Sequence, residues 1–201
     1  MFTGHFAPAF ALHRRQPDAP LWALFLAAQG VDVLFWGLAA AGVERMHVDP
    51  SRAGSLGLVL EFMPYSHSAV AAVGWGTATW AALGRDHRAA ALGLAVASHW
   101  LCDLPMHLGD LPLAGGDGPR VGFALWTWPV AAWAFECGLL ALSVAGASRR
   151  LAALAAALIA VQTLQSFVVP LPASVPELAL TSELSYALCA LAAWAWVDRR
   201  A

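Results

Sequence analysis

Two imidazoles and a carboxylate recur every fourth residue in ASHWLCDLPMHLGD, within one of the most apolar parts of the chain. If this stretch is helical, His99, Asp103 and His107 lie along one face, because residues four apart are neighbours on a helix surface. An i, i+4 pair can chelate one metal ion, and imidazole with carboxylate suits a zinc-like divalent cation. The alternatives are a hydrogen-bonded core histidine and a structural His–carboxylate pair between helices.

The composition indicates an integral membrane protein. Hydrophobic residues make up 60% of the 201-residue chain and charged residues only 12%, against ~25% charged residues in soluble domains. The net charge of −2 gives no basic footprint for nucleic acid. The three cysteines form no CxxC motif, which argues against a zinc finger or a redox pair.

Six segments approach the ~20 apolar residues that a spanning helix needs. We therefore predict an all-α membrane protein with one transmembrane domain over residues 1–201. Residues 1–16 are too short to span and are predicted to form a re-entrant or interfacial half-helix. The connection at about 43–63 is a candidate for a short interfacial helix. The predicted spans are about 21–42, 64–84, 89–109, 121–146, 150–170 and 177–197.

The arginines predict the orientation. With six spans, eight arginines fall on one side of the membrane and three on the other, and positive charge favours the cytoplasmic side. The prediction is a multi-pass protein of a bacterial inner membrane, with cytoplasmic N- and C-termini. The larger group contains Arg14, Arg15, Arg85, Arg88, Arg149, Arg150, Arg199 and Arg200.

Further ionisable residues fall at matching predicted depths. Counting 1.5 Å per residue places Asp32 near His99, and His67 level with His107. His5 reaches a similar depth if the half-helix enters from the cytoplasmic side. Glu136, also near mid-bilayer, either takes part in the site or bonds a neighbouring helix. Because ionisable groups are costly inside a membrane, this convergence predicts a functional site.

The order and spacing of several motifs resemble a family of small bacterial membrane proteins. The proteins of this family look like distant relatives of the inner-membrane proteins called metal-dependent hydrolases. The pattern that the two groups share is an early His, an intramembrane Asp, Ser-His-Ser and Ser-His-x3-Asp. Those relatives carry Pro-Asp-x-Asp, whereas this chain retains only Asp32, which makes a single metal more consistent with the pattern than two. The resemblance covers about residues 4–137, at GHF (4–6), VDVLFWG (31–37), PYSHS (64–68), SHWLCD (98–103), HLGDLPLAGG (107–116) and GPRVGFALW (118–126).

The resulting expectation is a membrane-embedded hydrolase that uses a divalent metal, zinc by preference, on a lipid-borne ester or phosphoester. The alternatives are a non-catalytic subunit or assembly factor of a membrane complex and a proton-relay or transport protein that uses the same cluster. The expected metal ligands are Asp32, His67, His99 and Asp103. The expected catalytic residues are His5, His107 and Glu136; His5 or His107 completes the metal shell or acts as a general acid or base.

Overall fold

The chain folds into seven α-helices and two short antiparallel hairpins over the residues described. The computed structural model describes residues 2–49, 57–116, 118–169 and 174–200. A 3₁₀ turn at Thr3–His5 precedes α1, and two others lie at Leu125–Thr127 and Asp198–Arg200. The helices are α1 Phe6–Arg15, α2 Leu21–Ala40, α3 Ala69–Ala82, α4 His87–Asp103, α5 Pro129–Ser143, α6 Arg149–Phe167 and α7 Val175–Trp196. The strands are β1 Arg45–Val48, β2 Leu58–Phe62, β3 Leu111–Pro112 and β4 Arg120–Val121.

Three helices within the described ranges are long and apolar enough to cross a membrane: α2, α6 and α7. They indicate membrane association. The prediction of six spans is not confirmed, because α3, α4 and α5 have only 14, 17 and 15 residues. The residue types at their ends explain the shorter lengths.

Capping and proline set those ends. Ser68 caps α3 by accepting a hydrogen bond from the Ala71 N–H, so the helix begins five residues later than the predicted span. Asp86 caps α4 in the same way, and its bond from the Ala89 N–H lowers the pKa of its carboxyl. α5 begins at Pro129, since proline suits the first turn of a helix.

The end of α4 corrects the predicted stripe. α4 stops at Asp103, two residues before Pro105, which has no N–H with which to continue the hydrogen-bond ladder. His107 therefore lies in the following turn rather than two helical turns along the same face. Its backbone N–H still bonds to the Asp103 carbonyl at 3.1 Å, which keeps it close to the end of the helix.

The described parts of the connection at 43–63 form two paired strands rather than the suggested interfacial helix, and residues 50–56 of that prediction lie outside the described residues. β1 and β2 pair antiparallel, with Met46 opposite Leu60 and an irregularity between Arg45 and Met46. The side chains of a strand alternate between two faces, and Met46 and Leu60 both pack against the cluster around Phe35 and Met63. The hairpin thereby closes over the end of α2.

The N-terminal half-helix is buried inside the bundle. The Phe6 and Phe10 side chains of α1 are fully buried, and the Phe6 ring stacks on Phe25 of α2 with centroids 4.2 Å apart. Because a half-helix at membrane depth is tolerated only against protein, this packing allows α1 to hold the preceding turn at a fixed depth.

Several arginine-bearing helix ends meet at one end of the bundle. Arg14 donates from Nη1 to the Ser143 carbonyl at 2.7 Å, which joins the end of α1 to the end of α5. The Asp198 carboxylate accepts from the N–H groups of Leu21 and Trp22, which joins the end of α7 to the start of α2. These contacts place parts of the larger arginine group on the same end.

Two glycines allow α3 and α4 to approach closely. A Cβ added to Gly76 would lie 2.6 Å from the Gly93 carbonyl oxygen, and one added to Gly93 would meet the Gly76 carbonyl oxygen even more closely. Only hydrogen at these positions permits the observed backbone contact. The contact fixes α4, and therefore His99 and Asp103, relative to the segment that carries His67.

Candidate metal centre

Polar side chains from five parts of the chain meet in the middle of the bundle. His5 comes from the first 3₁₀ turn, Asp32 from α2, and His67 from the turn before α3; α4 supplies two more, and the turn after α4 supplies the sixth. All are buried except the Asp32 side chain, which is 15% exposed. The structure brings together His5, Asp32, His67, His99, Asp103 and His107.

His99 presents a bare nitrogen to two carboxylates. Its Nδ1 lies 2.7 Å from the Ala28 carbonyl oxygen, which can only accept a hydrogen bond, so Nδ1 carries the proton. In the neutral ring Nε2 then holds a lone pair. That atom lies 3.2 Å from Oδ2 of Asp103 and 3.4 Å from Oδ1 of Asp32, and among the described residues it has no hydrogen-bond partner. Either a proton or a metal ion between these atoms would satisfy them.

His67 is oriented in the same way by a chain of two side chains. The Ser66 hydroxyl donates to the Glu44 carboxylate at 2.5 Å, so its oxygen accepts from Nδ1 of His67 at 2.8 Å. Glu44 is itself held by the backbone N–H groups of Tyr65 and Ser66. Nε2 of His67 is thus left facing Oδ1 of Asp32 at 3.2 Å.

His5 and His107 repeat the arrangement. Gln29 donates from its amide nitrogen to the Phe2 carbonyl and turns its oxygen toward Nδ1 of His5, at 3.3 Å. Nε2 of His5 then lies 3.0 Å from Oδ1 of Asp103. For His107, Nδ1 donates to Asp110 at 2.8 Å, and Nε2 lies 3.8 Å from Oδ2 of Asp103. In all four histidines the outer nitrogen is anchored and the inner one faces carboxylate.

The spacing of these atoms fits a metal ion. Zinc bound tetrahedrally at about 2.0–2.1 Å places its ligand atoms roughly 3.3 Å apart. Nε2 of His67 lies 3.2 and 3.8 Å from the facing oxygens of Asp32 and Asp103, and the corresponding distances for His99 are 3.4 and 3.2 Å. Two triads with all ligand atoms within 4.8 Å share His99: His5–His99–Asp103 and Asp32–His67–His99. These groups could hold a metal ion.

Several residues around the cluster were not singled out from the sequence. Tyr186 of α7 donates to Oδ2 of Asp32 at 2.9 Å, which leaves Oδ1 for the histidines. Gln29, Glu44 and Asp110 anchor the outer nitrogens, directly or through Ser66. Metal-ligating histidines ordinarily have such outer partners, which fix the ring and its tautomer.

Glu136 contacts the segment that carries His5. Its Oε2 accepts from the backbone N–H groups of Phe2 and Gly4 at 3.1 and 3.0 Å, and Gln162 of α6 accepts from Thr3. These bonds satisfy the unpaired donors at the start of the first turn. The catalytic roles assigned to His5, His107 and Glu136 remain predictions.

A cavity of about 580 Å³ reaches the cluster from the side of α6 and α7. Its volume is within the range of small-molecule sites. Asp32, His67, Asp103 and His107 form part of its wall, and Tyr186 is among the other residues around it. The cavity therefore adjoins the cluster on the side of these four residues.

Comparison with known proteins adds nothing to the description of this site. No protein-family model, curated protein or solved structure shows significant similarity to this chain.

Proposed function

We propose that this protein is a membrane-embedded hydrolase that holds a divalent metal ion, zinc by preference, and acts on a lipid-borne ester or phosphoester. The observation that carries the proposal is the bare Nε2 of His99, buried between two carboxylate oxygens at 3.2 and 3.4 Å. A proton alone could bridge one such pair, but four anchored imidazoles around two carboxylates supply the donor set of a metal.

His67, His99, Asp32 and Asp103 would hold the ion. A divalent ion in such a site lowers the pKa of bound water toward neutrality and polarises a carbonyl oxygen. His107 and His5 border the same carboxylates, and either is placed to accept or donate a proton during hydrolysis. The adjoining cavity gives a lipid headgroup access to this position.

The hydrolytic reaction type rests on the resemblance of the sequence motifs, and the metal rests on the geometry. The proposed setting is a bacterial inner membrane, with α3, α4 and α5 completing a six-span bundle beside the three longer helices. The membrane lipid is the proposed substrate source. In a non-catalytic subunit or assembly factor of a membrane complex the site would be structural or vestigial and would give no turnover, so the two functions are separable by experiment.

Metal content of the detergent-purified protein tests the proposal. We expect about one divalent ion per chain, and we expect loss of that ion in both His99→Ala and Asp103→Ala. The double variant should be no worse than either single one, because the ligands act as a unit. His47→Ala is the matched control, since His47 lies on the exposed hairpin and bonds Glu61. Unchanged metal in His99→Ala would overturn the metal site.

Hydrolysis of a panel of ester and phosphoester lipids by the metal-loaded protein tests the reaction. Release of product that disappears in His99→Ala supports the hydrolase. A full metal complement with no turnover on any lipid would instead assign the ion a structural role.

A further inference from the structure

The cavity beside the candidate metal centre has a polar wall contributed by α6 and α7. The polar residues recur three and four positions apart, so each set occupies one face of its helix. Gln162 also accepts from Thr3. The residues of this wall are Gln162, Gln165, Ser166, Thr181, Ser182 and Ser185.

This wall contains both donors and acceptors: the Gln162 amide nitrogen donates to the Ser166 hydroxyl, and two other hydroxyls are acceptors toward a ligand. Thr181 donates its hydroxyl hydrogen to carbonyls of its own helix, and Ser185 does the same. A hydroxyl whose hydrogen is used in this way still offers lone pairs. Such groups complement a ligand that brings its own donors.

The charge of the cavity disfavours anions. Among the described residues that line it there is no arginine, and the chain contains no lysine. Four carboxylic acids line it: Asp32, Asp103, Glu136 and Glu177. A divalent ion would neutralise about the first two. Phosphate recognition ordinarily uses arginine or lysine, and nothing of that kind remains for a phosphate group here.

The rest of the lining is apolar. Phe35, Met63 and Leu60 lie on the side of α2 and the first hairpin, and Leu178 and Val169 lie toward α6 and α7. A ligand that fits the whole cavity therefore combines an uncharged, hydroxyl-bearing part with a hydrocarbon part.

We propose that the cavity binds the neutral acyl ester of a polyol, such as a monoacylglycerol, and selects it over a phosphorylated counterpart. This inference rests on the proposed hydrolase function and names its substrate class. Hydrolysis would break the bond between the acyl carbon and the ester oxygen. The oxygen of water would then reside in the carboxylic acid, and one proton of water would reside on the released alcohol.

Equilibrium binding of two radiolabelled probes to the detergent-purified protein tests the selectivity. The probes are 1-monooleoylglycerol and 1-oleoyl lysophosphatidic acid, which differ only by the phosphate. We expect at least about tenfold tighter binding of the neutral probe, because the described lining has no arginine or lysine and carries Glu136 and Glu177 beyond the two carboxylates that an ion would neutralise. Equal or tighter binding of the phosphorylated probe would overturn the inference.

Two variants locate the selectivity in the wall. Gln165→Arg adds a cation and should narrow or reverse the preference for the neutral probe. Thr181→Val should weaken binding of the neutral probe by about fivefold, as expected for one lost hydrogen bond. Thr77→Val is its matched control, since Thr77 bonds to a carbonyl of its own helix on exposed α3. An unchanged preference in Gln165→Arg would contradict the assigned wall.

The same measurements separate this inference from the hydrolase itself. In His99→Ala the binding preference should persist, because the wall sets it and the metal does not. Turnover of phosphorylated lipids alone would leave the hydrolase in place and overturn the substrate class. Neutral-probe selectivity without any turnover would keep the binding site and overturn the hydrolase.

Discussion

Tyr186 donates a hydrogen bond of 2.9 Å to Oδ2 of Asp32, which joins α7 to α2 across 154 residues of sequence. The bond occupies one oxygen and leaves Oδ1 facing His67 and His99. Tyr186→Phe should therefore lower metal affinity by about tenfold or more, as for other outer partners of metal ligands, with the fold intact.

Competition against a chromogenic chelator measures that affinity. Tyr65→Phe is the control, because the Tyr65 side chain is 53% exposed and lies outside the cluster. If the affinity of Tyr186→Phe equals that of Tyr65→Phe, then the phenol does not orient Asp32.

The hydrogen bonds from Glu44 through Ser66 to His67 predict that substitutions at Glu44 and Ser66 have coupled effects on metal affinity. Ser66→Ala removes the acceptor for Nδ1 of His67, and Glu44→Gln weakens the acceptor for the Ser66 hydroxyl. Each change should lower metal affinity by about tenfold. The double variant should lose less than the sum of the two, because both act through one imidazole. Chelator titrations of the wild type, the two single variants and the double variant measure the four metal affinities. Strictly additive losses would contradict coupling through these hydrogen bonds.

His67 and His107 should differ as ligands. Nε2 of His67 lies within 3.8 Å of oxygens from both Asp32 and Asp103, whereas Nε2 of His107 lies 3.8 Å from Asp103. We expect His67→Ala to lose the ion and His107→Ala to retain it with about tenfold lower affinity. Elemental analysis of both variants gives the answer. Equal loss in the two would move His107 into the ligand set.

The close contact of α3 and α4 predicts a stability effect at Gly93. A Cβ there meets the Gly76 carbonyl, and Gly93→Ala should lower the free energy of unfolding by about 1–3 kcal/mol, as overpacking does. Gly74→Ala is the control, since a Cβ at Gly74 has nothing within 4 Å, and alanine there should be neutral or stabilising. Thermal unfolding in one detergent compares them. A similar Tm for both variants would show that the helices separate without penalty.

The arginines at the shared end of α1, α2, α5 and α7 predict a cytoplasmic location for that end and for the C-terminus that lies there. A reporter fused at Ala201 should report the cytoplasm, and one inserted at Gly116 should report the opposite side, because positive charge is retained on the cytoplasmic face. Six spans place three crossings between the two reporters, so identical compartments would mean an even number of crossings and would rule out the six-span arrangement.

The sequence predicts the histidines and aspartates of the cluster better than it predicts the bounds of the helices that carry them. Ionisable residues in an apolar chain are few, and their cost in a membrane identifies them. Hydropathy does not mark where a helix ends within an apolar stretch. Caps and prolines do, and Ser68, Pro105 and Pro129 account for the shortening of α3, α4 and α5.

The outer partners were harder to find. Tyr186 belongs to the polar face of α7, and that spacing is a signal that could have placed it near the site. Glu44 is a buried acid in a connection, and its contact with Ser66 joins residues 22 positions apart. Tertiary pairing of this kind leaves no periodic pattern, so a single sequence does not indicate it.

Residues 3–5 are synthesised long before the groups that hold them in place. Glu136 and Gln162, which bond this segment, lie more than 130 residues further along the chain. The hydrogen bonds that hold the His5 segment can therefore form only after α5 and α6 have been synthesised. The bond from Tyr186 to Asp32 can form only after α7 has been synthesised. The proposed ligands are all synthesised by Asp103, but the groups that orient Asp32 and the His5 segment follow only with α5, α6 and α7, so we expect tight binding of an ion to be tied to completion of the bundle.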